Sequence, residues 1–427
     1  MSDWLRSSWL WLLIRVSRRM GVRASLFALV SVLGALLAPL VTPLLPAGFA
    51  ERLGTDAVGD ILGILASSML VVATFSLGTL ISAFAVASST TTPRVTELLM
   101  QDTSAQNAIS VFLGAFLFAL VGIIGLNAGF YSADGRVVLF AMTLGVVVIV
   151  VVTFVRWVDL LSHLGRVSDA VDRATAAALA ALEERVSDPH IGGLPRAGDV
   201  LPEHRGHTRE RIGYVCHVDL GALQQLAVAR DGRIVLLTLP GAFVDPTRAL
   251  VAADFAIDEE TAATIEAAFD IDARRTLDLD PRYGLITLAE IGSKALSPGI
   301  NDPGTAINVI AALTRVLAVT ARETTRAPEV LHDRVMVTAL TPEDLLADAF
   351  SAVARDGAGI VEVQVRLQKS LGVLLRLGDL RMARAAAEQS RHALAHARLR
   401  LELPQEIERI ETLARSVETE LAGRETA

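Results

Sequence analysis

The sequence predicts an α-helical integral membrane domain of four spans, followed by an α+β cytoplasmic domain with a small barrel-sandwich-like β-module and a C-terminal helical region. Three observations lead to this fold class. The 427 residues are 52% hydrophobic and have a mean hydropathy of +0.48, which is typical of membrane proteins. Four long stretches near the N-terminus lack charged side chains. Short branched-chain runs bounded by Gly and Pro follow them, and helical patterns fill the remainder.

Residues 1–23 mix tryptophan and arginine side chains, and this mixture predicts an interfacial helix lying on the membrane surface. A secretory signal peptide is the alternative. Its apolar core at residues 9–14 would be short, and no small-residue cleavage site directly follows it. We therefore expect the interfacial helix.

The transmembrane domain is expected at residues 24–160. Its uncharged stretches are residues 24–50, 61–93, 103–133 and 137–155. Because a helix needs about 20 apolar residues to cross a bilayer, they predict spans near residues 25–46, 61–87, 108–128 and 137–158. Five arginines precede the first span, Arg94 lies in the 87–107 connection, and Arg156 and Arg166 follow the fourth span, whereas the outer connections hold only Arg52 and Arg136. The positive-inside rule therefore places both termini in the cytoplasm.

The second span carries a stripe of small, weakly polar residues that recur at helical spacings: Ser67, Thr74, Gly78, Ser82 and Ser89. Two interpretations are open. The stripe is a seam for close helix packing, or it lines a water-filled path between copies of the chain. None of the four uncharged stretches holds an Asp, Glu or His, which counts against a proton-coupled transporter.

Arg94 follows a hydroxyl-rich segment at residues 88–93, at the expected depth of the inner headgroups. We expect its guanidinium to lie at the membrane surface and to contact lipid phosphate.

A helical pattern continues from the fourth span through residues 161–187, with Gly165 as its weak point. It predicts a rigid helical extension of that span into the cytoplasm. Residues 188–210 are rich in Pro, Gly and charged side chains, and this composition predicts a linker.

Residues 211–256 predict a small β-module, because short branched-chain runs alternate with turns at Asp231-Gly232 and Pro240-Gly241. The order of strand, short helix, strand and a turn at Phe243-Val244 resembles the barrel-sandwich hybrid of lipoyl-type domains and membrane-fusion adaptors. No lysine lies near the expected hairpin tip, so we expect neither biotin nor lipoate, and no other cofactor. The module is expected to be structural or to form an oligomer contact.

The sharpest local pattern is Ser-Pro-Gly-Ile-Asn-Asp-Pro at residues 297–303, within a mainly helical segment at residues 257–340. Two prolines and a glycine exclude a helix there, while helical patterns flank the run on both sides. It predicts a tight corner between two helices, with Asn301, Asp302 or Thr305 capping the second helix. A plain capped turn is one interpretation. A binding corner formed by Ser297, Asn301 and Asp302 is the other.

Three carboxylates around this corner are candidates to meet in space: Asp278, Asp280 and Asp302. Clustered carboxylates bind a hard cation such as Ca²⁺ or Mg²⁺, or they pair with arginine. Three arginines are close in sequence, namely Arg274, Arg275 and Arg282. We therefore expect ion pairing and no metal site.

The corner run ALSPGINDPGTA, the tripeptide Gly213-Tyr214-Val215 and the segment SSTTTPRV at residues 88–95 together resemble a bacterial family of predicted membrane proteins, DUF2254. The resemblance implies a membrane architecture and no established activity.

Residues 341–427 predict a C-terminal helical region. Candidate helices lie at residues 304–322, 341–356, 372–397 and 404–422, and strand-like runs lie at residues 333–340 and 359–367.

A net charge of −8 argues against a nucleic-acid partner, and Cys216 as the single cysteine excludes an intramolecular disulfide. The motifs GxSxG, Walker A and HExxH are absent, so we expect no enzyme and no catalytic residues. We expect an oligomeric inner-membrane protein, an ion channel or gated pore with a cytoplasmic regulatory domain, whose partners are the lipid bilayer and further copies of itself. The alternative is a non-conducting membrane scaffold or signalling protein that recruits partners through its cytoplasmic domain.

Overall fold

The computed structural model describes residues 20–41, 57–95, 103–163, 165–196, 198, 201–277, 279–321 and 329–426. Within them the chain forms two compact units. The first holds the described residues up to Ser89 and those from 103 to 169, and the second holds Thr90–Val95 and the described residues from Ala170 onward. Residues 1–19, which carry most of the predicted interfacial helix, and Asp278 lie outside the described residues.

The first unit contains four long helices: α1 (Met20–Val41), α2 (Val58–Thr90), α3 (Thr103–Asn127) and α4 (Ala133–His163). Length and composition make four helical stretches of the described chain able to cross a membrane: Val58–Ser89, Ser104–Asn127, Ala133–Ser162 and Pro303–Ala321. Val58–Ser89, Ser104–Asn127 and Ala133–Ser162 match the second, third and fourth predicted spans, in that order. The first predicted span, residues 25–46, overlaps α1, but its end lies outside the described residues.

The stretch Pro303–Ala321 was not among the predicted spans. Its apolar side chains Val309, Ile310, Leu313 and Val316 are completely buried within the second unit, which accounts for its composition without a membrane.

Helices of the first unit pack through large side chains at most positions and through glycine at a few. Phe112, Phe118 and Trp157 are almost completely buried in a shared apolar core. At Gly114 of α3 an added Cβ would lie 2.8 Å from the Ser31 hydroxyl and 3.4 Å from the Phe27 carbonyl oxygen, both on α1. Small-residue packing of the kind found in membrane bundles is therefore present between α1 and α3.

The fourth span does not continue unbroken beyond the first unit. Helix α4 ends at His163, and a separate helix, α5, covers Val167–Ser187. Gly165 has a φ of +83°, a left-handed conformation that interrupts an α-helix and that glycine adopts without a Cβ penalty. This corrects the predicted rigid extension over residues 161–187.

The second unit contains two small sheets. Its strands are β1 (Gly193–Pro195), β2 (His204–His207), β3 (Gly213–Val218), β4 (Ile234–Leu236), β5 (Phe243–Val244), β6 (Ala249–Ala253), β7 (Phe269–Asp272) and β8 (His332–Val337). One sheet has the order β1-β8-β4-β6-β2, with β1, β8 and β4 parallel and the other pairs antiparallel; the other sheet is antiparallel with the order β5-β3-β7. Helices α6 (Leu220–Ala229) and α7 (Glu259–Ala267) contribute Leu223 and Ile265 to the core of these sheets.

The predicted module at residues 211–256 is not self-contained. Strand β4 is buried at all three positions and pairs with β8, which lies about a hundred residues later in the chain. The predicted linker at residues 188–210 supplies β1 and β2. Strand β2 fits because Gly206 packs against Val251 and Ile265, where an added Cβ would be 2.9 Å from Val251. The sheets are small, as predicted, and the barrel-sandwich likeness stays a prediction.

The remaining helices are α8 (Pro281–Ala295), α9 (Pro303–Leu317), α10 (Pro342–Asp356), α11 (Val361–Leu377), α12 (Leu380–Arg400) and α13 (Pro404–Thr426). They confirm the helices expected near 304–322, 341–356 and 404–422, and β8 confirms the strand near 333–340.

Two assignments in this region were wrong. Residues 359–367 lead into α11 instead of forming a strand, because Val363, Leu367 and Leu371 recur at helical spacing and are completely buried on one face. The helix expected at 372–397 is two helices. Gly378 has extended backbone, and the Asp379 side chain caps α12 by accepting a hydrogen bond from the Met382 N–H.

Candidate functional site

The run at residues 297–303 forms the predicted corner between α8 and α9. The backbone N–H of Asn301 donates to the Ser297 carbonyl at 2.8 Å, and Asn301 has a φ of +49°. Asparagine tolerates this left-handed conformation better than most side chains. The Asp302 carboxylate caps α9 by accepting bonds from the Thr305 N–H at 3.1 Å and the Thr305 hydroxyl at 2.6 Å. The hydroxyl bond holds the pKa of Asp302 below its usual value.

Of the three predicted binding-corner residues, the structure gives two a local structural role. Asn301 forms the turn and Asp302 forms the cap, and both are exposed. Ser297 differs, because it is half-buried and borders a cavity of about 760 Å³. Its hydroxyl donates to the Lys294 carbonyl at 2.6 Å.

We call this cavity the corner cleft, and it lies where helices α8, α10 and α12 end. It is lined by Glu290, Ser293, Lys294, Leu296, Ser297, Pro298, Arg355, Asp356, His396, Leu399 and Arg400. The volume falls in the range of small-molecule sites, about 300–1,000 Å³.

One carboxylate of the corner cleft is already neutralised within it. Arg355 donates from Nε and Nη2 to the Asp356 carboxylate at 2.7 and 3.1 Å, and the Ser293 hydroxyl donates to the same group. Burial acts to raise the pKa of Asp356, but the hydrogen bonds from Arg355 and Ser293 outweigh it and lower the pKa. Asp356 is therefore ionised near neutral pH.

The second carboxylate, Glu290, pairs with Arg94, which belongs to the same unit. The Arg94 guanidinium also lies 5.6 Å from the centre of the Tyr283 ring, within the range of a cation–π contact. Neighbouring residues Thr91 and Val95 are completely buried. The guanidinium that was expected to contact lipid phosphate thus has protein partners in the described structure, and the lipid contact stays a prediction.

The opposite end of α8 is fixed by a buried ion pair. Asp280 caps the helix through the Tyr283 N–H, and Arg275 donates to its carboxylate at 2.7 Å. Burial raises the pKa of Asp280, and the Arg275 guanidinium opposes that shift. The Arg275 guanidinium also lies 4.9 Å from the centre of the Tyr283 ring.

Of the three candidate carboxylates, Asp280 and Asp302 do not meet, and Asp278 lies outside the described residues. Asp280 precedes α8 and Asp302 follows it, so 15 helical residues, roughly 22 Å, separate them. Arg275 pairs with Asp280, and Arg282 pairs with Asp348 at 2.5 Å. The first pair confirms the expected ion pairing for Asp280, whereas Arg282 pairs with a carboxylate of α10 that was not among the candidates. In the described part of the chain, no group of three His, Cys, Asp or Glu side chains is arranged to hold a metal ion.

The stripe on α2 is exposed along its whole length: Ser67, Thr74, Gly78, Ser82 and Ser89. An added Cβ at Gly78 would meet nothing within 4 Å. The hydroxyls of Ser67 and Thr74 donate to carbonyls one turn earlier in the same helix, at 3.0 and 2.9 Å. The stripe therefore makes no close packing seam with the described part of the chain.

Sequence reasoning missed most of the corner cleft. Arg355, His396 and Arg400 sit in helical segments without any motif, and the clustering of basic side chains at helix ends is also explained by the helix dipole. Of the residues that line the corner cleft, only Ser297 was predicted from the sequence as a binding residue.

Of the comparisons with known proteins, the family model indicates a membrane protein. The model of the family described as predicted membrane protein (DUF2254) matches residues 17–372. An uncharacterised protein of Mycobacterium bovis is 26% identical over 251 residues, which is 55% of this chain and 47% of that protein. Uncharacterised proteins from two strains of Mycobacterium tuberculosis match the same share at 26% and 25% identity.

The chain thus spans about half the length of these curated relatives. No solved structure matches it. With a family match over most of its length, the chain belongs to the DUF2254 family of predicted membrane proteins.

Proposed function

We propose that this protein is an oligomer in a bacterial inner membrane, in which the α2 helices of several copies enclose a gated conduction path. The second unit is its cytoplasmic regulatory domain. The family supports the membrane class, and the exposed α2 stripe carries the rest of the proposal.

The stripe argues for association because its residues are small, weakly polar and not packed against any other helix that the structure describes. Close packing inside the first unit relies on Gly114 and Gly122, where an added Cβ would lie 2.8 and 3.1 Å from a neighbouring helix. At Gly63 and Gly78 of α2 an added Cβ meets nothing within 4 Å. Small residues on an open helix face let a second backbone approach closely, and closed symmetry would place the same face of each copy around one axis.

The division into units supports the proposed topology. Thr90–Val95 follows the second span and belongs to the same unit as the described chain from Ala170 onward. In the sequence, helices α3 and α4 lie between these two segments and are joined by a short turn at residues 128–132. Helices α3 and α4 therefore fit a membrane hairpin whose two ends are on the same side of the bilayer. The arginine distribution makes that side cytoplasmic, together with the N-terminus.

The experiment is ion flux from liposomes that contain the purified full-length protein, with Ser82→Trp beside it. Leu77→Trp is the control, since Leu77 is also exposed on α2 but lies five residues before Ser82, about 140° around the helix. We expect flux in the wild type and in Leu77→Trp, and loss of flux in Ser82→Trp with the oligomer intact. Absence of flux at every salt, voltage and pH would refute the path.

A non-conducting scaffold or signalling protein is the second candidate, and one observation favours it. The hydroxyls of Ser67, Thr74 and Ser89 already donate to carbonyls of α2 itself, so they need no water. Such a face packs well against another protein helix. Under this alternative Ser82→Trp disrupts the oligomer, which size-exclusion chromatography in detergent would detect.

A further inference from the structure

Three basic side chains line the corner cleft: Lys294, Arg355 and Arg400. The lining also holds two carboxylates, Glu290 and Asp356. Each carboxylate is paired with an arginine, Glu290 with Arg94 and Asp356 with Arg355. These ion pairs therefore do not involve Arg400.

Arg400 is the cation best placed to bind something external. Its side chain is exposed, and it makes no ion pair with any described residue. Other arginines of α12, namely Arg384, Arg391 and Arg398, pair with glutamates of α13. Arg400 therefore departs from the pattern of its own helix. The half-buried His396 lies one turn earlier and lines the same cavity.

An apolar wall stands beside these cations. Leu296, Pro298 and Leu399 line the corner cleft, and Leu399 is 80% exposed. A single exposed leucine is unremarkable on a surface. Here it borders a concave site next to arginine, lysine and imidazole donors, so the site offers polar contacts at one end and apolar contacts at the other.

We propose that the corner cleft binds a phosphate ester, with the phosphate held by Arg400 and the imidazole of His396, and with its carbon portion against Leu399. Guanidinium groups are usual donors to phosphate oxygens, and the phosphate can accept from several donors at once. The ester is either the headgroup of an anionic lipid or a free phosphorylated metabolite. This binding does not depend on a conduction path.

A purely structural explanation makes a different prediction. Basic side chains near helix C-termini also compensate the helix dipole. If compensating the helix dipole were their only role, Arg400→Gln would slightly lower the stability of the ligand-free protein. Phosphate esters would then bind neither the wild type nor the variant.

The test uses the full-length protein in nanodiscs of zwitterionic phosphatidylcholine. In one arm glycerol 3-phosphate is added and binding is measured by calorimetry. In the other arm part of the lipid is replaced by phosphatidylglycerol, and the thermal unfolding midpoint is compared. Both arms are repeated with Arg400→Gln, with Leu399→Gln and with the control Arg366→Gln. Arg366 is also exposed and without an ion pair to a described residue, but it lies on α11 outside the cleft.

We expect Arg400→Gln to weaken binding by about tenfold or more, the usual effect of losing one charge-assisted hydrogen bond. Leu399→Gln should weaken it less, and Arg366→Gln should bind as the wild type does. A response to phosphatidylglycerol alone identifies a lipid headgroup, whereas binding of glycerol 3-phosphate identifies a free metabolite. The proposal is overturned if neither arm shows binding, or if Arg366→Gln loses as much as Arg400→Gln.

Discussion

The contact between α5 and α8 gives a sharp test of how tightly the second unit is packed. Gly284 of α8 faces Ala178 of α5, and both residues are buried. An added Cβ at Gly284 would lie 2.7 Å from the Ala178 Cβ and 2.8 Å from its Cα. The substitution Gly284→Ala therefore places a methyl group against backbone, which cannot rotate away.

Two contributions of opposite sign decide whether Gly284→Ala raises or lowers the free energy of unfolding. Replacing glycine by alanine inside a helix gains about 1 kcal/mol in helix propensity. Overpacking a tight contact costs roughly 1–3 kcal/mol. Since the distance to the Ala178 Cα requires the backbone to shift, we expect an overpacking cost in the upper part of that range, about 2–3 kcal/mol, which leaves a net loss of about 1–2 kcal/mol.

The assay is thermal unfolding of the full-length protein in detergent, with Gly423→Ala as the control. Gly423 is also helical, in α13, but an added Cβ there meets nothing within 4 Å. At about 2–4 °C per kcal/mol for a unit of this size, Gly284→Ala should lower the midpoint by roughly 2–8 °C. Gly423→Ala should raise it slightly. A rise for Gly284→Ala equal to that of the control would refute the close packing of α5 against α8.

Two further predictions concern capping carboxylates. Asp302→Ala removes the cap of α9 and should cost about 1 kcal/mol, while Asp302→Ser retains most of it; neither should change binding in the corner cleft, which a calorimetric titration would check. Asp258 caps α7, and hydrogen bonds led by that from Thr261 lower its pKa to about 2 from 3.8. Because the folded-state pKa is the lower one, its stabilisation is present above pH 3.8 and is lost as the pH falls towards 2. The midpoint difference between wild type and Asp258→Asn should therefore shrink over that window; a constant difference would contradict the assignment.

Local chemistry made the corner predictable. Pro298 and Pro303 restrict the backbone of the neighbouring residues, whereas Gly299 leaves it free to turn. Asp302 is a standard capping side chain. Helix α11 was misassigned because its first residues alternate Val and polar side chains. The alternation resembles a strand until the burial of Val363 and Leu367 on one face reveals a helical period.

Tertiary assembly was not predictable in the same way. The corner cleft joins residues of α8, α10 and α12 that are about a hundred residues apart in sequence, and none carries a motif. The pair of Arg94 with Glu290 spans nearly half the chain. Strand β4 likewise depends on β8 for one of its two neighbours. Which side chains and strands become partners depends on how whole helices and sheets pack together. A short window of sequence does not contain that information.

The membership of Thr90–Val95 in the second unit means that this unit is discontinuous in the gene. A truncated protein that starts at Ala170 lacks a piece of its own interior, including the buried Thr91 and Val95 and the partner of Glu290. Such a fragment should expose apolar surface and be prone to aggregation. Joining Thr90–Val95 to it through a flexible linker, or adding the segment as a synthetic peptide, should restore solubility. Attempts to obtain the second unit alone should therefore begin with that segment included.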